Sequence, residues 1–187
     1  PDGLVARLSY SPDASGSQSN DKGSSGQATT QGSGYDVTLE ATDALHGMTG
    51  LTVYGGISEH SQAGALNYDG DREEQTVGVK YAVGGFTLGY QWSEEDLGVS
   101  SNEQQYENEG YGITFQINDD LSIGYNSYES KQTSTTNVTA EADSVQIAYS
   151  MGGASIRVAE SSADNMDYNT GAAYDRDSTV ISVSLAF

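Results

Sequence analysis

Apolar and polar residues alternate along most of this chain with a period of two. In LVARLSY, for example, Leu4, Ala6, Leu8 and Tyr10 share one parity, whereas Arg7 falls on the other. Successive side chains of a β-strand point to opposite faces, so the pattern predicts a strand with one apolar and one polar face. The alternation recurs in nine further segments: YDVTLEA, LTVYGGI, VGVKYAV, FTLGYQW, YGITFQI, LSIGY, VQIAYSM, SIRVAES and the ending STVISVSLAF.

The links between these ten predicted strands are alternately long and short. Long polar links follow the odd-numbered strands, and shorter links follow the even-numbered ones. The first short link is DALHGMTG, and the other three are very tight: GG, NDD and GG. Tight Gly-Gly and Asn-Asp turns supply the backbone angles that β-hairpins require. The rhythm therefore predicts an all-β, antiparallel, up-and-down meander whose two ends face different surroundings, without an internal domain boundary.

Two arrangements fit such alternation. In a soluble sandwich or barrel the apolar face points inward, whereas in an outer-membrane barrel it meets lipid and the polar face lines a wet lumen. Alternation alone does not separate them, so the positions of aromatic and charged residues have to decide.

The aromatic residues of the apolar parity sort by height along the strands. If the short turns lie at one end, Tyr81, Phe86, Phe115, Tyr149 and Phe187 fall near that end. A second group lies toward the long loops: Tyr10, Tyr35, Trp92, Tyr111 and Tyr125. Amphipathic rings favour the two headgroup levels of a bilayer, whereas a soluble core has no reason to sort them. We therefore expect Tyr10, Tyr35, Tyr81, Phe86, Trp92, Phe115, Tyr149 and Phe187 to form lipid-facing girdles.

The basic residues inside these ten predicted segments all lie on the polar parity. A Lys or Arg that faces lipid at mid-membrane costs about 2–4 kcal/mol, and Arg7, Lys80 and Arg157 avoid that face. The polar parity is then the predicted pore lining, with Arg7, Asp36, Glu40, Lys80, Gln91, Gln116, Asn126, Gln146 and Arg157 as candidate residues. The charged members either create a transverse field that orders permeating solutes or form structural ion pairs, and the pattern fits both readings.

Composition and charge narrow the possible partners. The chain has 187 residues, 27 acidic against 7 basic, for a net charge of -20, and no Cys. Nucleic acid binding is excluded because it needs a basic surface, whereas cations are attracted to such a chain. Many of the acidic residues fall in the predicted long loops, among them Asp71, Glu73, Glu74, Glu94 and Asp96. The chain opens with PDGLVARL, which predicts a processed product or a piece of a longer chain.

Catalytic and metal-binding signals are weak. His60 precedes a loop with Asp69 and Asp71, which would suit a surface protease with a His–Asp pair, but a solvated loop histidine is the simpler interpretation. DGDREE and DNMDYN are rich in oxygen ligands for Ca²⁺, yet neither has the spaced calcium-loop pattern. The sequence implies no reaction, no cofactor and no metal site.

Four stretches carry a resemblance to a known family: LSYSPD before a Gly/Ser-rich loop, INDDLSIGYN, VQIAYSMGGASIRVAE and the ending ISVSLAF. They resemble the general porins of alphaproteobacteria, especially those of abundant marine lineages, and the similarity is strongest over the last seventy residues or so. The resemblance implies a trimeric, sixteen-stranded channel in the bacterial outer membrane that passes small hydrophilic solutes by passive diffusion. It also implies that the assembly machinery of that membrane reads the strand ending in Phe187.

The chain departs from that family in length. About ten strands are present, which fits the last ten of sixteen, so residues 1–187 are expected to form one partial barrel domain without the first strands and the inward-folded constriction loop. The main hypothesis is therefore the C-terminal portion of a cation-preferring porin. A self-contained small outer-membrane barrel that acts as adhesin or surface protease, and a soluble Gly-rich β domain, are the alternatives.

Overall fold

The computed structural model describes residues 1–12, 31–62, 70–99, 105–133 and 137–185. Ten strands account for most of them: β1 (Leu4–Ser11), β2 (Gln31–Thr42), β3 (Leu51–Gln62), β4 (Arg72–Val83), β5 (Phe86–Asp96), β6 (Gln105–Gln116), β7 (Leu121–Thr133), β8 (Val138–Met151), β9 (Ala154–Asp164) and β10 (Arg176–Leu185).

The strands form one antiparallel sheet in chain order, from β1 to β10. This confirms the predicted all-β, up-and-down topology. β1 and β10 are the edges of the sheet, and they do not pair with each other in the described part of the chain. One helical turn, α1 (Asp43–His46), links β2 to β3, and a 3-10 turn (Met166–Tyr168) lies between β9 and β10. Neither element has the length and apolar composition needed to cross a membrane.

The short links are built as the turn chemistry predicts. Gly84 and Gly152 adopt φ angles of 57° and 59°, which a residue with a side chain rarely accepts, so each allows a two-residue hairpin. In the third tight link the Asn118 side-chain oxygen accepts hydrogen bonds from the backbone N–H groups of Asp120 and Leu121, both at 2.9 Å. These bonds fix the turn and with it the register of the strands on either side.

The register places each parity on its own face across the whole sheet. Ile113 of β6 lies opposite Leu88 of β5 and Tyr125 of β7, whereas its neighbour Thr114 lies opposite Thr87 and Gly124. A slip of one residue would exchange the two faces, so the match of apolar with apolar residues over ten strands specifies the pairing.

The apolar face has no covering layer among the described residues. None of their hydrophobic side chains is buried, and Leu8, Ile181 and Leu185 are 76%, 69% and 60% exposed. A contiguous apolar surface of this extent marks an interaction surface or a membrane surface, because in water it would aggregate. The face therefore needs an apolar surrounding.

The strands extend further toward the long-loop end than the hydrophobic pattern predicts. The segment TSTTNVTAEA was expected to be a loop, but β7 continues to Thr133 and β8 begins at Val138. The predicted loop placement of four acidic residues was also wrong, since these lie on strands: Glu73, Glu74, Glu94 and Asp96. The extensions carry polar residues on both faces, and hydrophobic periodicity cannot detect a strand whose two faces are wetted.

Candidate functional site

Five of the residues predicted from the polar parity line two neighbouring clefts on the polar face. Lys80, Gln91, Asn126 and Gln146 contribute to an open cleft of about 550 Å³. Asp36 and Gln91 contribute to a second cleft of about 370 Å³ toward the long-loop end. The alternation that predicted these residues thus brings them together on one concave, hydrogen-bonding surface.

A tyrosine bridges three strands at the centre of this surface. The Tyr54 hydroxyl on β3 donates to Gln91 Oε1 on β5 at 2.8 Å, passing over Gly78 on β4. A Cβ at position 78 would overlap the Tyr54 ring, so Gly78 leaves the space in which the ring lies. The sequence-based prediction missed Tyr54, although an aromatic residue opposite a glycine becomes recognisable once the register is known.

Among the described residues, the charged side chains of the polar face form ion pairs only at the long-loop end. Within the described residues, Arg7, Lys80 and Arg157 make no ion pair, and Arg157 lies beside Ala148 and Ser182. Glu40 lies opposite Val5 and Tyr54. The described ion pairs, Arg72 with Glu74 at 2.9 Å and with Glu95, are at the long-loop end.

Two predicted residues of the polar face stabilise the wall through hydrogen bonds. Asp36 accepts a short hydrogen bond from the Ser9 hydroxyl of the neighbouring strand. Gln116, at the short-turn end, donates through Nε2 to the Asn118 carbonyl oxygen at 2.6 Å. Asp36 therefore ties β1 to β2, and Gln116 braces the turn between β6 and β7.

A second hydrogen-bonded cluster, which the sequence did not predict, lies on the same face near the long-loop end. Asn108 Oδ1 accepts from the Tyr128 hydroxyl at 2.7 Å and from the Ser130 hydroxyl at 2.5 Å, and Asn108 Nδ2 lies 3.4 Å from Ser93 Oγ. Ser130 is only 4% exposed. These residues belong to the strand extensions that lack a hydrophobic signal.

The predicted girdle residues that the structure describes lie on the apolar face, and two of them, Phe86 and Phe115, contact each other there. The Phe86 and Phe115 rings stack with centroids 4.4 Å apart near the short-turn end. Tyr10 lies opposite Tyr35. Tyr81 lies opposite Leu51 and Leu88, and Trp92 lies opposite Val77. The Tyr149 hydroxyl lies 3.7 Å from the Met151 sulfur. Phe187 is outside the described residues.

Above the apolar stretch, the same face turns acidic within two residues. Toward the long-loop end, the next residue on the same face is acidic on three strands. Glu59 follows Ile57, Glu94 follows Trp92, and Asp143 precedes Val145. The Trp92 ring nitrogen donates to Glu107 Oε1 at 3.2 Å, and the Tyr35 hydroxyl donates to Glu59 Oε2 at 3.0 Å. Aromatic side chains with an apolar body and a hydrogen-bonded polar tip thus mark the boundary between the apolar and the wetted part of the strands.

Of the residues considered for catalysis, His60 and Asp71 have separate hydrogen-bond partners. His60 Nδ1 lies 3.4 Å from Ser58 Oγ, and the Asp71 carboxylate accepts from the Gln62 backbone N–H at 3.2 Å. Asp69 is outside the described residues. Among the side chains that the structure describes, no group of three or more His, Asp or Glu residues is arranged to hold a metal ion.

One polar face, one uncovered apolar face and an antiparallel meander define the wall of an outer-membrane β-barrel. A family model for Gram-negative porins matches residues 2–185, and the chain therefore belongs to the Gram-negative porin family and to the bacterial outer membrane. No curated protein matches the chain.

Solved structures show the same fold at low sequence identity. The chain is similar to OmpF of Salmonella typhi, solved in complex with daunomycin, with a TM-score of 0.71 and 15% identity over 98% of this chain and 57% of that one. It is also similar to OmpT of Vibrio cholerae expressed in the outer membrane, with a TM-score of 0.56 and 13% identity over 73% and 46% of the two chains. The chain thus spans little more than half the length of OmpF.

Proposed function

We propose that the protein to which this chain belongs is a passive diffusion channel for small hydrophilic solutes and ions across the bacterial outer membrane. The observation that carries the proposal is the separation of faces: one polar parity runs through all ten strands behind an uncovered apolar one. In a barrel with lipid outside, that polar face encloses an aqueous path. The channel performs no reaction and uses no cofactor.

The pore lining in this proposal is the polar-face set predicted from the sequence. Lys80, Gln91, Asn126 and Gln146 border the larger cleft, where hydroxyl, amide and ammonium groups replace water around a passing solute. Arg7, Asp36, Glu40, Gln116 and Arg157 extend the lining toward both ends of the strands. The eight girdle residues, Phe187 included, hold the wall at the two headgroup levels.

The proposed channel prefers cations. The net charge of -20 makes the potential of the protein negative, and the carboxylates concentrate toward the long-loop end, where ions enter. Arg7, Lys80 and Arg157 on the polar face oppose this field only partly, since the chain has 27 acidic residues against 7 basic ones.

We further propose that residues 1–187 are one domain, the C-terminal part of a sixteen-stranded barrel that assembles as a trimer. The open edges of β1 and β10 and the 57% coverage of OmpF support a larger barrel. An alphaproteobacterial source, and recognition of the last strand by the outer-membrane assembly machinery, remain predictions from the resemblance of the sequence.

The test is reconstitution of the full-length protein in planar bilayers and in liposomes. We expect ohmic conductance steps, liposome swelling in small sugars, and a reversal potential across a KCl gradient with the sign of cation selectivity. Absence of conductance from correctly folded protein would refute the channel, whereas an anion-selective reversal potential would refute only the cation preference.

A further inference from the structure

The loop between β9 and β10 folds inward over the polar face and does not project away from the strands. Residues 165–175 form a compact loop closed by its own bonds, among them Met166 N–H to the Tyr174 carbonyl at 3.0 Å and Asn165 N–H to the Asp175 carboxylate at 3.2 Å. The Asn165 side chain donates to the Thr139 carbonyl of β8 at 3.0 Å. The loop therefore leans over β8, away from β10.

The Tyr168 side chain contacts strands β7 and β6, near the centre of the sheet. Its hydroxyl lies 2.6 Å from Ser130 Oγ on β7, and its ring lies against Tyr106 on β6, with centroids 5.3 Å apart. Tyr106 and Ser130 both belong to the polar parity, so the ring is on the polar face. Strands β9 and β6 are three strand spacings apart, or about 14 Å, so the loop covers a wide part of the wall.

The hydrogen-bond directions place Tyr168 at the donor end of a series of hydrogen bonds. The single Ser130 proton is donated to Asn108 Oδ1, so the Tyr168 hydroxyl donates to Ser130 Oγ. Ser130 is 4% exposed and is therefore held firmly in the wall. The cluster of Asn108, Tyr128 and Ser130 thus provides a prepared acceptor for the loop.

The backbone of the loop is strained in the same place. Asn165, Asp167 and Tyr168 have φ angles of 54°, 56° and 53°, in the left-handed region. Asn and Asp tolerate this region, but a tyrosine there is unusual. Such strain persists only where surrounding contacts over-determine the conformation, which the Ser130 and Tyr106 contacts do.

We propose that Tyr168 latches the β9–β10 loop across the long-loop mouth of the channel and sets the size limit for solutes that enter there. The proposal rests on the channel function proposed above, since the polar face is a lumen only in that case. The latched loop places Asp167 and the Tyr168 ring in the path of entering solutes, where they exclude large neutral molecules and leave small hydrated cations a carboxylate-lined passage.

The test uses the full-length protein in planar bilayers and in liposomes with neutral sugars of increasing size. Tyr168→Ala should raise the single-channel conductance and admit sugars that the unaltered protein excludes. Tyr168→Phe and Ser130→Ala both remove the bond between Tyr168 and Ser130, and Ser130→Ala also removes the bond from Ser130 to Asn108. Each should increase the frequency of brief conductance increases about fivefold, which corresponds to roughly 1 kcal/mol, and the double variant should add nothing further.

Tyr174→Ala is the matched control. Tyr174 lies in the same loop, is 37% exposed, and its side chain makes no hydrogen bond or ring contact with the described residues. Conductance and sugar limit should be unchanged in this variant. If Tyr168→Ala behaves like Tyr174→Ala while the unaltered protein conducts, the latch is refuted, whereas a silent unaltered protein refutes the channel itself.

A second measurement covers the case in which Tyr168→Ala does not fold. Residues 1–187 contain no cysteine, so Asp167→Cys adds the one thiol of this part of the barrel for a bulky thiol reagent. Labelling should lower the conductance, because the added bulk lies in the mouth. Glu129→Cys, on the opposite face of β7, should be insensitive to the same reagent, and equal responses at both sites would contradict the inward fold.

Discussion

Tyr54 and Gln91 are joined across the strand that separates them: the tyrosine hydroxyl donates to the glutamine Oε1 at 2.8 Å. The bond runs parallel to the sheet, over Gly78, and connects β3 to β5. Because backbone ladders connect only adjacent strands, this side-chain bridge across three strands resists bending of the wall.

Gly78→Ala should break this bridge. The new methyl group would displace the Tyr54 ring and remove its hydrogen bond, at a cost of about 1 kcal/mol in the free energy of unfolding. Gly89→Ala is the control, since Gly89 lies on the same face with no atom near its missing Cβ. Urea unfolding followed by circular dichroism should separate the two variants, and equal unfolding midpoints would contradict the bridging role.

Lys80→Gln should strengthen the preference for cations. The Lys80 ammonium borders the larger cleft and has no ion partner among the described residues, so its removal makes the lumen more negative. Lys131→Gln changes the net charge equally, but Lys131 lies on the outward parity near the long-loop end of β7. At about 0.1 M salt, charges beyond roughly 10 Å are screened, so the reversal potential should shift for Lys80→Gln only. A shift of equal size in both variants would show that lumenal position is irrelevant.

Ile113→Lys should destabilise the folded protein in a bilayer much more than Thr114→Lys. Ile113 lies on the apolar face between Tyr111 and Phe115, where a lysine costs about 2–4 kcal/mol, whereas Thr114 faces the polar side. Equilibrium unfolding from lipid vesicles measures the difference. The reverse order of stability would invert the assignment of the faces.

Trp92 should lie at the headgroup level. Its ring nitrogen donates to Glu107 at 3.2 Å, and its parity turns acidic at Glu94, so the indole sits at the edge of the apolar stretch. Lipids brominated near the headgroup should quench its fluorescence more than lipids brominated near the end of the acyl chain. Val79→Trp in a Trp92→Phe background should show the opposite order, because Val79 lies between Val77 and Tyr81. Identical profiles at positions 79 and 92 would remove the evidence for a girdle.

The sequence predicted the ten strands and their faces because burial against one apolar surrounding leaves a period of two in the chain. It failed at the strand extensions around Ser130 and Glu94, where both faces meet water and no alternation survives. The Tyr168 contact was equally out of reach, since it depends on a hydroxyl on β7 and a ring on β6 that only the register brings near. Asn165 and Asp167, residues that tolerate the left-handed region, were the single local hint of that loop's shape.

The proposed channel depends on the orientation of the two faces, with the apolar parity against lipid and the polar parity around water. This orientation is tested most directly by placing one tryptophan at position 113 or 114 of a protein without other tryptophans and adding lipids brominated at mid-chain. We expect strong quenching for Ile113→Trp and little for Thr114→Trp, with water-soluble acrylamide giving the opposite order. Quenching by brominated lipid at position 114 but not at 113, or at neither position, would contradict it.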